Sequence, residues 1–192
     1  MTEIILASAS PRRRELMKLI ASDFRISPAD VDETVPCGMD PFTYAVYVSE
    51  KKAESCAEKN KTDGIYIGCD TSVIAGDMIL GKPADEKDAF RMLKMLSGKK
   101  HFVITGVCIL KVKDGKEVFK TSFSEKTDVE FYDLSDEEIA GYVSSGEPMD
   151  KAGAYGIQEK GSLLVRRIDG DFFNVIGLPA ARLSRELKKI ID

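Results

Sequence analysis

Ile65-Tyr66-Ile67-Gly68-Cys69-Asp70-Thr71 contains an apolar run of strand length that ends on a carboxylate and a hydroxyl. It predicts a buried strand over Ile65 to Cys69 stopping at Asp70-Thr71, the kind of strand end where α/β folds place ligand chemistry. Ser72 to Ala75 and Met78 to Leu80, around Gly76-Asp77, then read as a separate hairpin. Upstream, the apolar Ile4-Ile5-Leu6-Ala7 leads to Ser10-Pro11, an N-cap and first-turn pair for a helix over Arg12 to Ile20. A second strand is expected near Phe24 to Ser27. A long helix over Pro41 to Lys59 carries Phe42, Ala45, Val48, Lys52 and Cys56 at mostly helical spacing.

Downstream, Ala89, Met92, Leu93 and Leu96 mark a helix closed by Gly98. His101 to Val112 and Glu117 to Tyr132 are the longest expected strands, joined at the favoured hairpin turn Asp114-Gly115. Ser135 with Glu138 forms a capping box for a helix to about Val143. A hairpin over Leu163 to Val175 turning at Asp169-Gly170 and a last helix from Pro179 to Ile191 complete the chain. Helices alternate with strands in one half and long hairpins fill the other. The expected fold is therefore α/β: a single mixed, strongly twisted sheet flanked by helices, in one domain spanning 1–192.

With 192 residues and 43% hydrophobic content the chain can bury a full core. No stretch approaches the roughly 18 uninterrupted apolar residues of a membrane span, and the start has no signal-peptide order. A soluble, cytoplasmic protein with no membrane partner is expected. The net charge of −4 argues against a nucleic-acid partner, so a phosphate ligand must be met by local basic groups. Cys37, Cys56, Cys69 and Cys108 are widely spaced and accompany one histidine, His101, which argues against a zinc cage or a disulfide scaffold. His101 itself reads as structural or surface.

Six places could carry chemistry. Ser8-Ala9-Ser10-Pro11-Arg12-Arg13 brings hydroxyls, a helix N-terminus and arginines together, a plausible phosphate cradle. Its bland alternative is a capped helix with a solvated basic turn, although cations there oppose the helix dipole. Asp70-Thr71 suits a divalent cation and proton transfer from water, but equally an Asx turn closing a strand. Glu33, in the acidic loop with Asp30 and Asp32, is a possible second carboxylate, although such loops are usually just solvated. Gly76 to Pro83 matches the glycine and lysine spacing of a P-loop but puts Pro83 where a hydroxyl must bind the metal. That reading is rejected, and Lys82 is kept as a possible phosphate ligand. Of the adjacent Lys51 and Lys52, one can face a cleft, and nothing local says which. Asp150 to Gln158 is dense in small residues, with Gln158 offering both donor and acceptor to a base edge.

Taken in order, these segments resemble the Maf family of nucleotide pyrophosphatases. The resemblance rests on Ser8 to Leu16, Asp32-Glu33, Lys52-Ala53, Asp70-Thr71, Leu80-Gly81-Lys82-Pro83, Leu96-Ser97-Gly98 with His101, Thr105-Gly106-Val107, Gly146-Glu147-Pro148, Asp150 to Gln158, and Gly170-Asp171 with Asn174 to Pro179. Cys69 stands where the family has alanine, and Ser72 where a β-branched apolar residue is usual. The resemblance implies a fold similar to that of the inosine triphosphate pyrophosphatases, a homodimer, a divalent metal (Mg or Mn) and release of pyrophosphate from a nucleoside triphosphate. It implies Asp70 as proton acceptor, Glu33 and Asp70 as metal contacts, and Ser8, Arg13, Lys52 and Lys82 as substrate contacts. Arg12, Thr71 and Gln158 would be the specificity positions. Ala152 to Gln158 is similar to the branch preferring dTTP and UTP, and the Gln158 amide matches the acceptor–donor–acceptor imide edge of uracil and thymine. A nucleotide-binding regulator of cell division with little turnover is the rival reading.

Overall fold

The computed structural model of the protein describes residues 2–34 and 39–190, so Cys37 and Ile191 fall outside the described residues. Among the described residues seven strands form one mixed sheet in the order β2 (Arg25–Ile26), β1 (Ile4–Leu6), β3 (Gly64–Ala75), β5 (Lys100–Lys113), β6 (Lys116–Phe131), β7 (Val165–Asp169), with β4 (Met78–Leu80) paired to β3. The chain divides into two compact units, one of Met1–Asp70, Thr105–Glu125 and Gly177–Asp192, the other of Thr71–Ile104 and Lys126–Ile176. Among the described residues no helix is long and apolar enough to cross a membrane.

In the first unit, β1 (Ile4–Leu6) lies parallel to β2 (Arg25–Ile26) and to the start of β3 (Gly64–Ala75), with Ile5 beside Tyr66. Both β1 and this part of β3 are fully buried, as expected of parallel strands covered on each face. Helix α1 (Pro11–Lys18) starts from Ser10, whose hydroxyl accepts the Arg13 N–H, with Pro11 in its first turn. Helix α2 (Pro41–Asn60) starts from Asp40, whose carboxylate accepts the Phe42 and Thr43 N–H groups, and stops at Lys61 in the left-handed region. It buries Tyr44, Ala45, Val48, Ser49, Lys52, Ala53 and Cys56, while Phe42 points outward, contrary to expectation.

Helix α2 meets the sheet at backbone contact. A Cβ on Gly68 would lie 2.0 Å from the Ser49 carbonyl oxygen, and one on Gly106 would lie 2.1 Å from that of Ala45. Only glycine leaves room for that approach. Ile5, Ala7, Ala53, Cys56, Tyr66, Cys108 and Leu110 pack together there. Strands β5 (Lys100–Lys113) and β6 (Lys116–Phe131) turn at Asp114-Gly115, both at positive φ as a tight hairpin requires.

The second unit has its own core, in which Val73, Leu93, Phe131, Tyr142 and Tyr155 meet. Helix α3 (Glu86–Leu96) is capped by Asp85, and α4 (Asp136–Val143) carries the expected Ser135/Glu138 capping box in full. Two expectations are corrected here. Strand β3 does not stop at Asp70-Thr71 but runs on to Ala75, where β4 (Met78–Leu80) returns antiparallel to it. The polar Asp70-Thr71-Ser72 therefore lies inside a strand: Asp70 and Ser72 are buried and the β-branched Val73 and Ile74 keep the chain extended. The segment 163–175 is also not a hairpin. Strand β7 (Val165–Asp169) pairs antiparallel with β6, and Asp171 then accepts the Phe173 N–H and opens a short helix, α5 (Phe172–Ile176). Within it the buried Asn174 donates to the Val103 carbonyl and to Thr127 Oγ1. The last helix, α6, covers Ala180–Lys188.

Candidate active site

Period-two alternation places Gly68 and Asp70 on the same face of β3, the face that α2 covers. Gly68 is pressed against Ser49 and Ala53 of the helix, so the residue between them on that turn, Lys52, arrives over Asp70. Its Nζ donates to Asp70 Oδ1 at 2.8 Å and forms an ion pair with Glu33 Oε1 at 2.6 Å. The Lys52 and Asp70 side chains are each 10% exposed, whereas that of Glu33 is 53% exposed. The ambiguity between the two lysines is thus resolved: Lys51 points outward, donating to the Asp32 carbonyl at 3.0 Å and lying over the Tyr47 ring.

The acidic loop is tied to α2 a third time. The Tyr44 hydroxyl donates to the Glu33 carbonyl at 2.7 Å. Burial, with the negative Asp70, Glu33 and Asp32 nearby, pushes the Tyr44 phenol up to about 12, so it stays protonated and remains a donor. Tyr44 was not among the sequence candidates. The signal was there, since Tyr44, Val48 and Lys52 recur every fourth residue on one helix face.

The opening motif is built differently from a bare cradle. Ser8 Oγ accepts the Ser10 N–H at 3.2 Å and an Arg13 guanidinium N–H at 3.4 Å. The Arg13 guanidinium also donates to the carbonyls of Cys69 at 2.9 Å and Gly177 at 2.8 Å. A cation in the first turn of α1 is therefore explained by carbonyl oxygens, and it links the β1–α1 turn to the residue preceding Asp70. Arg12 is half-buried on the same turn. Burial pushes the Cys69 thiol up to about 11, which leaves it a thiol and a poor nucleophile.

Thr71, Lys82 and Gln158 belong to the second unit. Thr71 is half-buried and points to the opposite face of β3 from Asp70. Lys82 is exposed just after β4; the interior of the P-loop-like stretch is that strand, which excludes a phosphate loop. Gln158 is exposed at the start of a 3-10 turn over Glu159–Leu164. His101 is buried, its Nε2 2.8 Å from the Tyr155 hydroxyl and its ring edge-on to Phe131, a structural role.

The site thus offers a carboxylate and an ammonium withdrawn from water, with a second, accessible carboxylate on the same ammonium. The model of the family described as Maf-like protein matches residues 3–190. A protein of Carboxydothermus hydrogenoformans named dTTP/UTP pyrophosphatase is 51% identical over 187 residues, 97% of this chain and 98% of its own. One of Bacillus cereus with the same name is 49% identical over 189 residues, covering 98% and 96%. Among solved structures, a HAM1 protein from Coxiella burnetii is similar with a TM-score of 0.53 at 15% identity, over 98% of this chain and 100% of that one. The Staphylococcus aureus Ham1 protein gives 0.52 at 17% identity, over 98% and 99%. These two likenesses bear out the expected fold. By its sequence along nearly its whole length, the chain belongs to the Maf family.

Proposed function

We propose that the protein is a nucleoside triphosphate pyrophosphatase that hydrolyses dTTP and UTP to the monophosphate and pyrophosphate, with 1–192 acting as one catalytic domain. The observation that carries this reading is the Lys52 ammonium held between the Asp70 and Glu33 carboxylates. The name shared by relatives about half identical to the chain supports the substrate class.

In this reading, water attacks the α-phosphorus and the bond from that phosphorus to the bridging oxygen breaks. Pyrophosphate leaves with the bridging oxygen. Asp70 takes the proton from water: one of its oxygens accepts from Lys52, and the other remains to act as base. Lys52 has three N–H donors, two of them directed at carboxylates, so the third serves a phosphate oxygen. Lys82 adds positive charge to the departing pyrophosphate, and Ser8 and Arg13 keep the β1–α1 turn in shape beside the substrate. Gln158 reads the imide edge of the base, with Arg12 and Thr71 as further specificity positions.

Among the described residues no three His, Cys, Asp or Glu side chains gather as a metal cage. Magnesium does not need one, since it commonly takes one or two carboxylates and completes its shell with water and substrate phosphates. Two carboxylates converging on a single cationic atom fit that donor chemistry. Asp70 and Glu33 would hold Mg²⁺ or Mn²⁺, which when bound neutralises charge developing on the phosphates. We place the enzyme in the cytoplasm as a homodimer that binds neither nucleic acid nor membrane.

The test is product identification with dTTP, UTP, CTP, ATP and GTP, with Mg²⁺, with Mn²⁺ and with EDTA. Metal-dependent monophosphate and pyrophosphate from dTTP and UTP are expected. Orthophosphate as product, or tight nucleotide binding without turnover, would overturn the assignment, the latter in favour of a regulator.

A further inference from the structure

Gly146-Glu147-Pro148 helps carry the family resemblance yet has no part in the reaction above. In the structure the Glu147 carboxylate is a knot for the segment that presents Gln158. Its Oε1 accepts from the Tyr142 hydroxyl at 2.9 Å and from the Gly161 N–H at 3.2 Å, and its Oε2 accepts from the Lys160 N–H at 3.2 Å. The Tyr142 hydroxyl in turn accepts the Gly156 N–H at 3.2 Å. Both ends of segment 156–161 are thereby fastened to one phenol and carboxylate pair.

The ends come so close that a Cβ on Gly161 would lie 2.2 Å from the Gly156 carbonyl oxygen and 2.6 Å from the Tyr142 hydroxyl. Between the fastenings Ile157 is buried, Gln158 is exposed and Glu159 holds φ at 54°. Tyr142 is itself buried, and burial pushes its phenol upward, so the hydroxyl keeps the proton it donates to Glu147. A carboxylate collecting backbone N–H groups makes charge-assisted bonds, stronger than neutral ones. The loop shape is thus set at both ends while its apex stays open.

We propose that Glu147 and Tyr142 are positioning residues for base selection: they fix segment 156–161 so that the Gln158 carboxamide meets the base in one orientation. This rests on the reading of Gln158 as the base contact. The chemistry makes orientation matter. An amide that accepts from N3–H and donates to the neighbouring carbonyl suits uracil or thymine, and the same amide turned over suits cytosine, whose amino group donates and whose N3 accepts. A loosened loop permits both orientations, so it loses discrimination as well as affinity.

The experiment measures kcat and KM for UTP and CTP by pyrophosphate release in the native enzyme, Glu147→Gln, Tyr142→Phe, Gln158→Leu and the Glu147→Gln/Gln158→Leu double variant, with melting temperatures in parallel. Glu147→Gln and Tyr142→Phe should each lower the UTP-over-CTP ratio of kcat/KM by about tenfold, mostly through KM for UTP. In the Gln158→Leu background, Glu147→Gln should leave that ratio unchanged, because its effect passes through the amide. Equal losses on UTP and CTP, or a change in ratio that persists without Gln158, overturn the positioning role. Tyr142→Phe deletes one oxygen and keeps the ring in the core, so it carries the test where Glu147→Gln melts too early. A UTP preference that survives Gln158→Leu overturns the base-contact reading itself. A preference lost in Gln158→Leu but kept in both other variants overturns only the positioning role.

Discussion

Lys52 Nζ stands 2.8 Å from Asp70 Oδ1, with both side chains largely withdrawn from water. The contact holds the carboxylate in place and leaves one of its oxygens for chemistry. With Asp70 as the proposed base, Asp70→Asn keeps the shape and removes the proton acceptor, so turnover on UTP should fall by about 10²-fold or more. Pyrophosphate release under saturating substrate checks this, and near-normal turnover would transfer the base role to Glu33.

The same pair has a stability consequence. Lys52→Met leaves the Asp70 carboxylate buried without its cation, a change expected to cost about 3 kcal/mol in urea unfolding. Asp70→Asn introduced on top of Lys52→Met should recover part of that cost, because the uncompensated charge is gone. Strictly additive losses in the double variant would show that the pair is not coupled.

Tyr44 acts on Glu33 through the backbone. Tyr44→Phe keeps the ring in the core but deletes the bond to the Glu33 carbonyl, worth about 1 kcal/mol or roughly fivefold in equilibrium terms. The Mg²⁺ concentration for half-maximal activity should rise by that factor while the melting temperature changes little. An unchanged metal titration would mean that the Tyr44 bond is not needed to hold Glu33 for the metal.

His101 predicts an acid limb in stability. Burial lowers its pKa from 6.5 to about 4, so the folded ring stays neutral where the unfolded chain already takes a proton. The stabilisation is complete above pH 6.5 and drains away as pH falls toward 4, by about 3 kcal/mol over the window. Its Nδ1, buried with no hydrogen-bond partner, offers an added proton no acceptor. His101→Phe keeps the aromatic packing on Phe131 and should flatten this part of the curve, measured as urea stability at pH 7 and pH 4.5. An unchanged slope would assign the acid limb to carboxylates alone.

Much of this was legible in the chain. The caps at Ser10 and Ser135 and the turn at Asp114-Gly115 have local chemistry that fixes local shape, and they fall where the sequence places them. The strand signal breaks at Asp70-Thr71 because that pair has the chemistry of a solvated Asx turn. Only the arrival of Lys52 from α2 makes burial of Asp70 tolerable. The false hairpin at Asp169-Gly170 arose in the same way: the buried bonds of Asn174 run to residues far away in sequence, and no local pattern records them. Glu33 reads in the sequence as part of a solvated acidic loop because its ion pair spans the gap to α2. The anchors of Arg13 are backbone carbonyls, which any residue type can supply, so no sequence pattern announces them.

The glycine contacts under α2 make the separation of ammonium and carboxylate adjustable in one direction only. At Gly68 and Gly106 there is no side chain left to delete, so no substitution there draws Lys52 closer to Asp70. Any added carbon lifts the helix outward, and a single methyl is the smallest available step. An engineer wanting more room between ammonium and carboxylate has two positions to work with, whereas one wanting less must look elsewhere, because the helix already rests on its mechanical stop.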